Sequence, residues 1–113
     1  HGTIQAMRIT IIGLGPGDGG MITRAAWAQL EQAQRLYLRT RVHPTIAELP
    51  RHLELHDFDH LYEHAADFSA IYAQIAAMLV ERAERGEALL YAVPGDPLTA
   101  EATTRHIRAL VRE

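Results

Sequence analysis

The chain has 113 residues, enough for one domain with a modest core, and its 48% hydrophobic and 22% charged residues are ordinary for a folded globular domain. A formal net charge of -3 leaves no basic footprint for nucleic acid, and no apolar run approaches the roughly 20 residues a membrane span needs. All 11 basic residues are arginine and cysteine is absent, which excludes lysine Schiff bases, Walker-type lysines, disulfides, thiolate zinc sites and cysteine nucleophiles, and fits a reducing cytoplasm.

Residues 1–6, "HGTIQA", precede Met7, and a strand begins directly after that methionine. The expectation is that they are a vector remnant, with Met7 the natural start and 7–113 the domain. No signal-peptide pattern is visible. "RITIIGL" (8–14) is β-branched and apolar at its centre, the pattern of a buried parallel strand. A loop crowded with glycine follows. Thr23 is placed to cap a helix carrying Ala26, Trp27, Leu30 and Ala33 at helical spacing. "RLYLRT" (35–40) predicts a second strand, and "HPTIAEL" (43–49) a short helix with Pro44 near its start.

"HLELHDF" (52–58) alternates, with Leu53 and Leu55 on one face and His52, Glu54 and His56 on the other. That predicts a half-exposed, edge-like strand. From Asp67 to Arg85, the residues Phe68, Ile71, Tyr72, Ile75, Met78 and Leu79 form a helical stripe that Gly86 ends. "ALLYAV" (88–93) is a fourth strand, broken by "PGDP". Thr99 opens a last helix with Thr103, Ile107, Leu110 and Val111 on one side. Strands alternating with helices predict an α/β fold: a mainly parallel sheet in three layers, α/β/α. The chain stops at a helix, and the expectation is a segment of something longer.

Gly13 and Gly15 fit the first half of a dinucleotide fingerprint, but the third glycine position is Asp18. The second strand ends in "LRTR", with no carboxylate for a ribose. Pro16 removes a backbone N–H, and Asp18 adds a charge that repels phosphate. The loop therefore suits a neutral or cationic ligand, or is a ligand-free turn. "YAVPGDPLTAE" (91–101) also leaves a strand and opens a helix, and ligands of open α/β sheets sit at that edge. On pattern alone, Asp96 is equally a turn residue or cap.

"GLGPGD" (13–18) together with "VPGDPLTAE" (93–101) resembles the tetrapyrrole (corrin/porphyrin) methylase family. The segments "LYLRTRVHPTIAEL" and "DFDHLYEHAADFSAIYAQIA" look like the methylase-like domain fused ahead of MazG-type nucleoside triphosphate pyrophosphohydrolases. The resemblance covers 7–113, the amino-terminal half of the family's two-subdomain unit. It implies S-adenosylmethionine as cofactor, in the cleft between the halves, near Pro16, Gly95, Asp96 and Thr99. Gly15, Gly17 and Asp18 would face the acceptor, with Arg39 and Arg41 reaching its carboxylates or phosphates. No single catalytic residue is implied, because methyl transfer needs alignment more than acid–base chemistry.

The resemblance further implies a small-molecule acceptor, a tetrapyrrole in the leading reading, and a homodimer. It implies no nucleic-acid or membrane partner. Two other readings stand beside the methyltransferase: a non-catalytic regulatory or assembly domain of a MazG-type enzyme, and nucleotide binding at the same edge. His52, His56, His60 and His64 recur every four residues, but the strand pattern at Leu53 and Leu55 keeps the rings from aligning. They read as a solvated edge. No metal is expected.

Overall fold

The structure, a computed structural model, describes residues 2–4, 8–14, 22–42, 44–63, 67–93 and 97–111. Its strands are β1 (Gly2–Ile4), β2 (Ile9–Gly13), β3 (Arg35–Leu38), β4 (Glu54–Asp57) and β5 (Leu89–Val93). Its helices are α1 (Arg24–Gln32), α2 (Asp59–Tyr62), α3 (Phe68–Glu84) and α4 (Pro97–Val111), with a 3-10 helix over Pro44–Glu48. The sheet order is β1-β2-β5-β3-β4. β2, β5, β3 and β4 are parallel, and β1 is antiparallel to β2.

Apolar residues in β2 and β5 alternate between two cores, one on each side of the sheet. On one side Ile9, Ile11, Tyr91 and Val93 meet Ile71, Ile75 and Leu79 of α3 and Ile107 of α4. On the other, Ile12, Leu36, Leu38 and Ala92 meet Ala26 and Leu30 of α1 and the Leu49–Leu53 segment. Strands buried on both faces must be apolar throughout, which is why β5 reads "LLYAV". The three-layer α/β/α reading is therefore correct.

Local chemistry fixes the helix ends. The Thr23 hydroxyl accepts from the Ala26 N–H at 3.1 Å, capping α1. The Asp67 carboxylate accepts from the Ser69 N–H at 2.9 Å, capping α3. α3 ends at Gly86, whose φ of +94° is left-handed and whose N–H donates to the Ala83 carbonyl.

The structure departs from the sequence reading at five places. Gly2–Ile4 form an edge strand, where a three-residue segment carries too little periodicity to be read. The 44–48 turn is 3-10 rather than α. "DHLY" (59–62) is a short helix rather than loop, its start secured by the Asp59 N–H donating to the Asp57 carboxylate at 3.0 Å. α4 starts at Pro97 rather than Thr99, since proline suits the first helical position. Leu110 is 40% exposed despite its stripe, because α4 buries the line through Ala102, Thr103 and Ile107.

Candidate functional site at the carboxyl edge of the sheet

Four parallel strands end on one edge. Gly13 is in register with Val93, and Leu38 with both Ala92 and Asp57. The Leu14 N–H donates to the Val93 carbonyl at 2.9 Å, and the Arg39 N–H to the Ala92 carbonyl at 3.2 Å. The chain therefore leaves β2 and β5 side by side, toward the two motif turns. Gly15, Pro16, Gly17, Asp18, Gly95 and Asp96 lie outside the described residues. Thr99 falls in the first turn of α4.

Arg39 and Arg41 follow β3 but have different surroundings. Arg41 is committed to the end of β4. Its Nε donates to the Asp57 carboxylate, its Nη2 to the Leu55 carbonyl at 2.8 Å, and its backbone N–H to Asp59 at 2.9 Å. Burial pushes the Asp57 carboxyl up, but bonds from Arg41 and the Asp59 N–H outweigh it and hold the group below its ordinary value.

Arg39 is half-buried, with its guanidinium carbon 5.5 Å from the centre of the Tyr62 ring. Among the described residues no carboxylate forms an ion pair with it, and its Nε is buried with no hydrogen-bond partner there. Tyr62 and Tyr91 complete this polar nest. Burial raises the Tyr62 phenol, against the opposing bond and charge of Arg39. Burial raises the fully buried Tyr91 much further, with Arg39 and the Thr103 hydroxyl pulling the other way. Sequence reasoning missed both tyrosines. The one available signal was a phenol inside the otherwise aliphatic "LLYAV".

The histidines are dispersed. His52 Nε2 lies 2.8 Å from the Ala33 carbonyl. His56 contacts Glu54 at 2.8 Å and stacks on Tyr37. His43 and His64 lie outside the described residues. Among the described residues, no three or more histidines and carboxylates are arranged to hold a metal. The largest described cavity, about 640 Å³, is at the opposite edge, between Arg8, Gln29, Gln32 and Glu87 at the amino ends of the strands. No described helix is long and apolar enough to cross a membrane.

A parallel sheet between two helical layers, with glycine-bearing turn sequences leaving adjacent strands, defines an open α/β protein whose ligand edge is the carboxyl one. Residues 8–113 match the Tetrapyrrole (Corrin/Porphyrin) Methylases, and the chain belongs to that family. It is 43% identical over 102 residues to the uncharacterized protein YabN of Bacillus subtilis (strain 168), a match covering 89% of this chain and 21% of YabN. It is 31% identical over 91 residues to the siroheme synthase of Baumannia cicadellinicola subsp. Homalodisca coagulata, covering 79% of this chain and 19% of that enzyme.

The fold matches the X-ray structure of a cobalamin biosynthetic enzyme, cobalt precorrin-4 methyltransferase, with a TM-score of 0.62 at 23% identity. That match covers 96% of this chain and 42% of the enzyme. The chain thus spans about a fifth of the curated relatives it matches.

Proposed function

We propose that this chain is the cofactor-binding half of an S-adenosylmethionine-dependent methyltransferase acting on a small-molecule acceptor of the tetrapyrrole class. The observation that carries the reading is the parallel register of Gly13 with Val93, which starts both motif turns from neighbouring positions of one edge. The donor set there fits the ligand. Asp96 offers a carboxylate to a sulfonium or an amino group, glycine at 95 allows close backbone approach, and Pro16 presents no N–H. Pro16, Gly95, Asp96 and Thr99 are the residues that would hold the cofactor.

When bound, S-adenosylmethionine supplies an activated methyl group; the chain's own task is to align donor and acceptor in line and to exclude water. Gly15, Gly17 and Asp18 are assigned to the acceptor side. Arg39 is the better receptor for an acceptor's anionic group, because Arg41 already spends its guanidinium on Asp57 and Leu55.

The test is calorimetry of the full-length protein with S-adenosylmethionine and with its demethylated product. Asp96→Ala should weaken binding of both. His52→Ala, at the far side of α1's end, should leave it unchanged. Equal affinity in the wild-type and Asp96→Ala proteins would remove the assignment. A second reading, a non-catalytic regulatory or assembly domain of a MazG-type pyrophosphohydrolase, draws on the 21% share of YabN that the match occupies. It predicts no binding of either ligand by the full-length protein.

A further inference from the structure

β2 is built as an interior strand but is covered on one side by very little. Ile9 and Ile12 are fully buried and Ile11 nearly so, and its residues feed both cores. Its inner neighbour β5 pairs with all five of its positions. Its outer neighbour is the three-residue β1, the one antiparallel strand in the sheet. β1 also lies outside the family match, which begins at residue 8.

The backbone directions of β2 show what β1 leaves open. The Leu14 N–H points to β5, and the Arg8 carbonyl accepts from Leu89 of β5. Amides alternate sides along a strand, so the N–H groups of Ile9, Ile11 and Gly13 point outward. β1 covers the first two, since Ile4 pairs with Ile9 and Gly2 with Ile11. Its register ends before Gly13.

The hand of the fold points to the proper occupant. From β2 the chain crosses by α1 to β3, and then by the 3-10 segment to β4, with both connections on one face of the sheet. From β4 it returns by α3 to β5 over the opposite face. These crossovers share one hand, as parallel connections do almost without exception. α4 leaves β5 on the α3 face, where Ile107 joins Ile71, Ile75 and Leu79. A further parallel strand reached in the same hand must fall on the β2 side of β5. The position beside β5 is already taken by β2. The next place is the outer edge of β2.

We propose that the outer edge of β2 is a strand-addition site, that Gly2–Ile4 is a surrogate there, and that its proper occupant is a parallel strand delivered through α4 in the longer polypeptides of this family. Main-chain bonds would supply the affinity, as in other cases of strand addition to an open edge. The inference rests on the family fold and is independent of the methyl-transfer reading.

Amide hydrogen exchange resolved at Ile9, Ile11 and Gly13 tests it in four proteins: this chain and the full-length polypeptide, each with and without residues 1–7. In the full-length protein the Gly13 amide should exchange about a hundredfold more slowly than in the 113-residue chain, and removing residues 1–7 should change nothing. In the 113-residue chain the same removal should expose Ile9 and Ile11. If that shortened chain fails to fold, the full-length pair decides alone. Two results overturn the proposal: equal Gly13 exchange in the two lengths, or loss of Ile9 and Ile11 protection when residues 1–7 are removed from the full-length protein. Gly13 protection in the 113-residue chain that grows with concentration would instead make a second copy the occupant, and would also overturn it.

Discussion

Arg39 and Arg41 sit two residues apart, yet one is discharged onto a carboxylate and the other is held against phenol rings. In "LRTR" the two are indistinguishable, because what separates them is the return of β4 beside β3, which brings Asp57 to Arg41 and leaves Arg39 under α2. Asp57→Ala should lower stability by about 1 kcal/mol, since it removes a part-exposed ion pair and the bond to the Asp59 N–H. The pH dependence has a definite sign. A carboxyl held low in the fold stabilises fully above its unfolded value, near 3.8, and loses that contribution as pH falls through the lower folded value. Acid unfolding of Asp57→Ala should therefore begin from lower stability and be less steep, which chemical denaturation at neutral and acid pH will read. The tyrosines titrate in the opposite direction. Tyr91 is raised above its ordinary 10.0, so its contribution is complete below pH 10 and is lost as pH climbs toward the folded value. Its phenolate absorbance should appear only together with alkaline unfolding. A smooth Tyr91 titration in the folded protein would show that its hydroxyl is reached by water.

At the level of the elements, the sequence was most readable where local chemistry and packing agree. Thr23, Asp67 and Gly86 mark helix boundaries because a side-chain oxygen satisfies a free N–H, or because a left-handed φ favours glycine. The four parallel strands were legible from their apolar, β-branched runs, and β4 was legible as an edge from its alternation. Three things were not legible. β1 is too short to show a period, α2 is held by bonds from Asp57 that depend on tertiary placement, and Leu110 turns away from α3 although its spacing fits the stripe. The site was legible as a pair of strand-end turns but not as a polar nest, since Tyr62 and Tyr91 are distant in sequence and carry no motif. Gly86→Ala should cost about 1 kcal/mol: a Cβ there meets no atom within 4 Å, so the cost is the positive φ alone. Thr23→Ala should cost a similar amount by loss of the cap. Urea midpoints should fall in both variants with the m-value unchanged; a changed m-value would mean that the denatured ensemble moved instead.

For the whole molecule, the question is how much of a binding site one half of a cleft can make. Both motif turns issue from β2 and β5 of the same sheet, so whatever they hold has one wall here. This chain spans 42% of the cobalt precorrin-4 methyltransferase it resembles in fold, and the opposing wall is assigned to sequence outside that share. A ligand on an open edge keeps much of its surface wet and its orientation free, and ordering it brings no compensating contacts. Losing even about 4 kcal/mol of contacts weakens binding roughly a thousandfold. The 113-residue chain should therefore be catalytically inactive and bind S-adenosylmethionine weakly, while the full-length protein binds it well. Uncovered surface has a second expected consequence. Val42, beyond the end of β3, is 84% exposed, and Leu110 borders a groove with Ala77 and Val80, so we expect the chain to self-associate as a homodimer. Light scattering over a concentration series will read the mass, and calorimetry on the same samples the affinity. Monomer throughout would remove the dimer. Tight, one-to-one cofactor binding by the monomeric 113-residue chain would remove the half-site argument, because a single wall would then have sufficed.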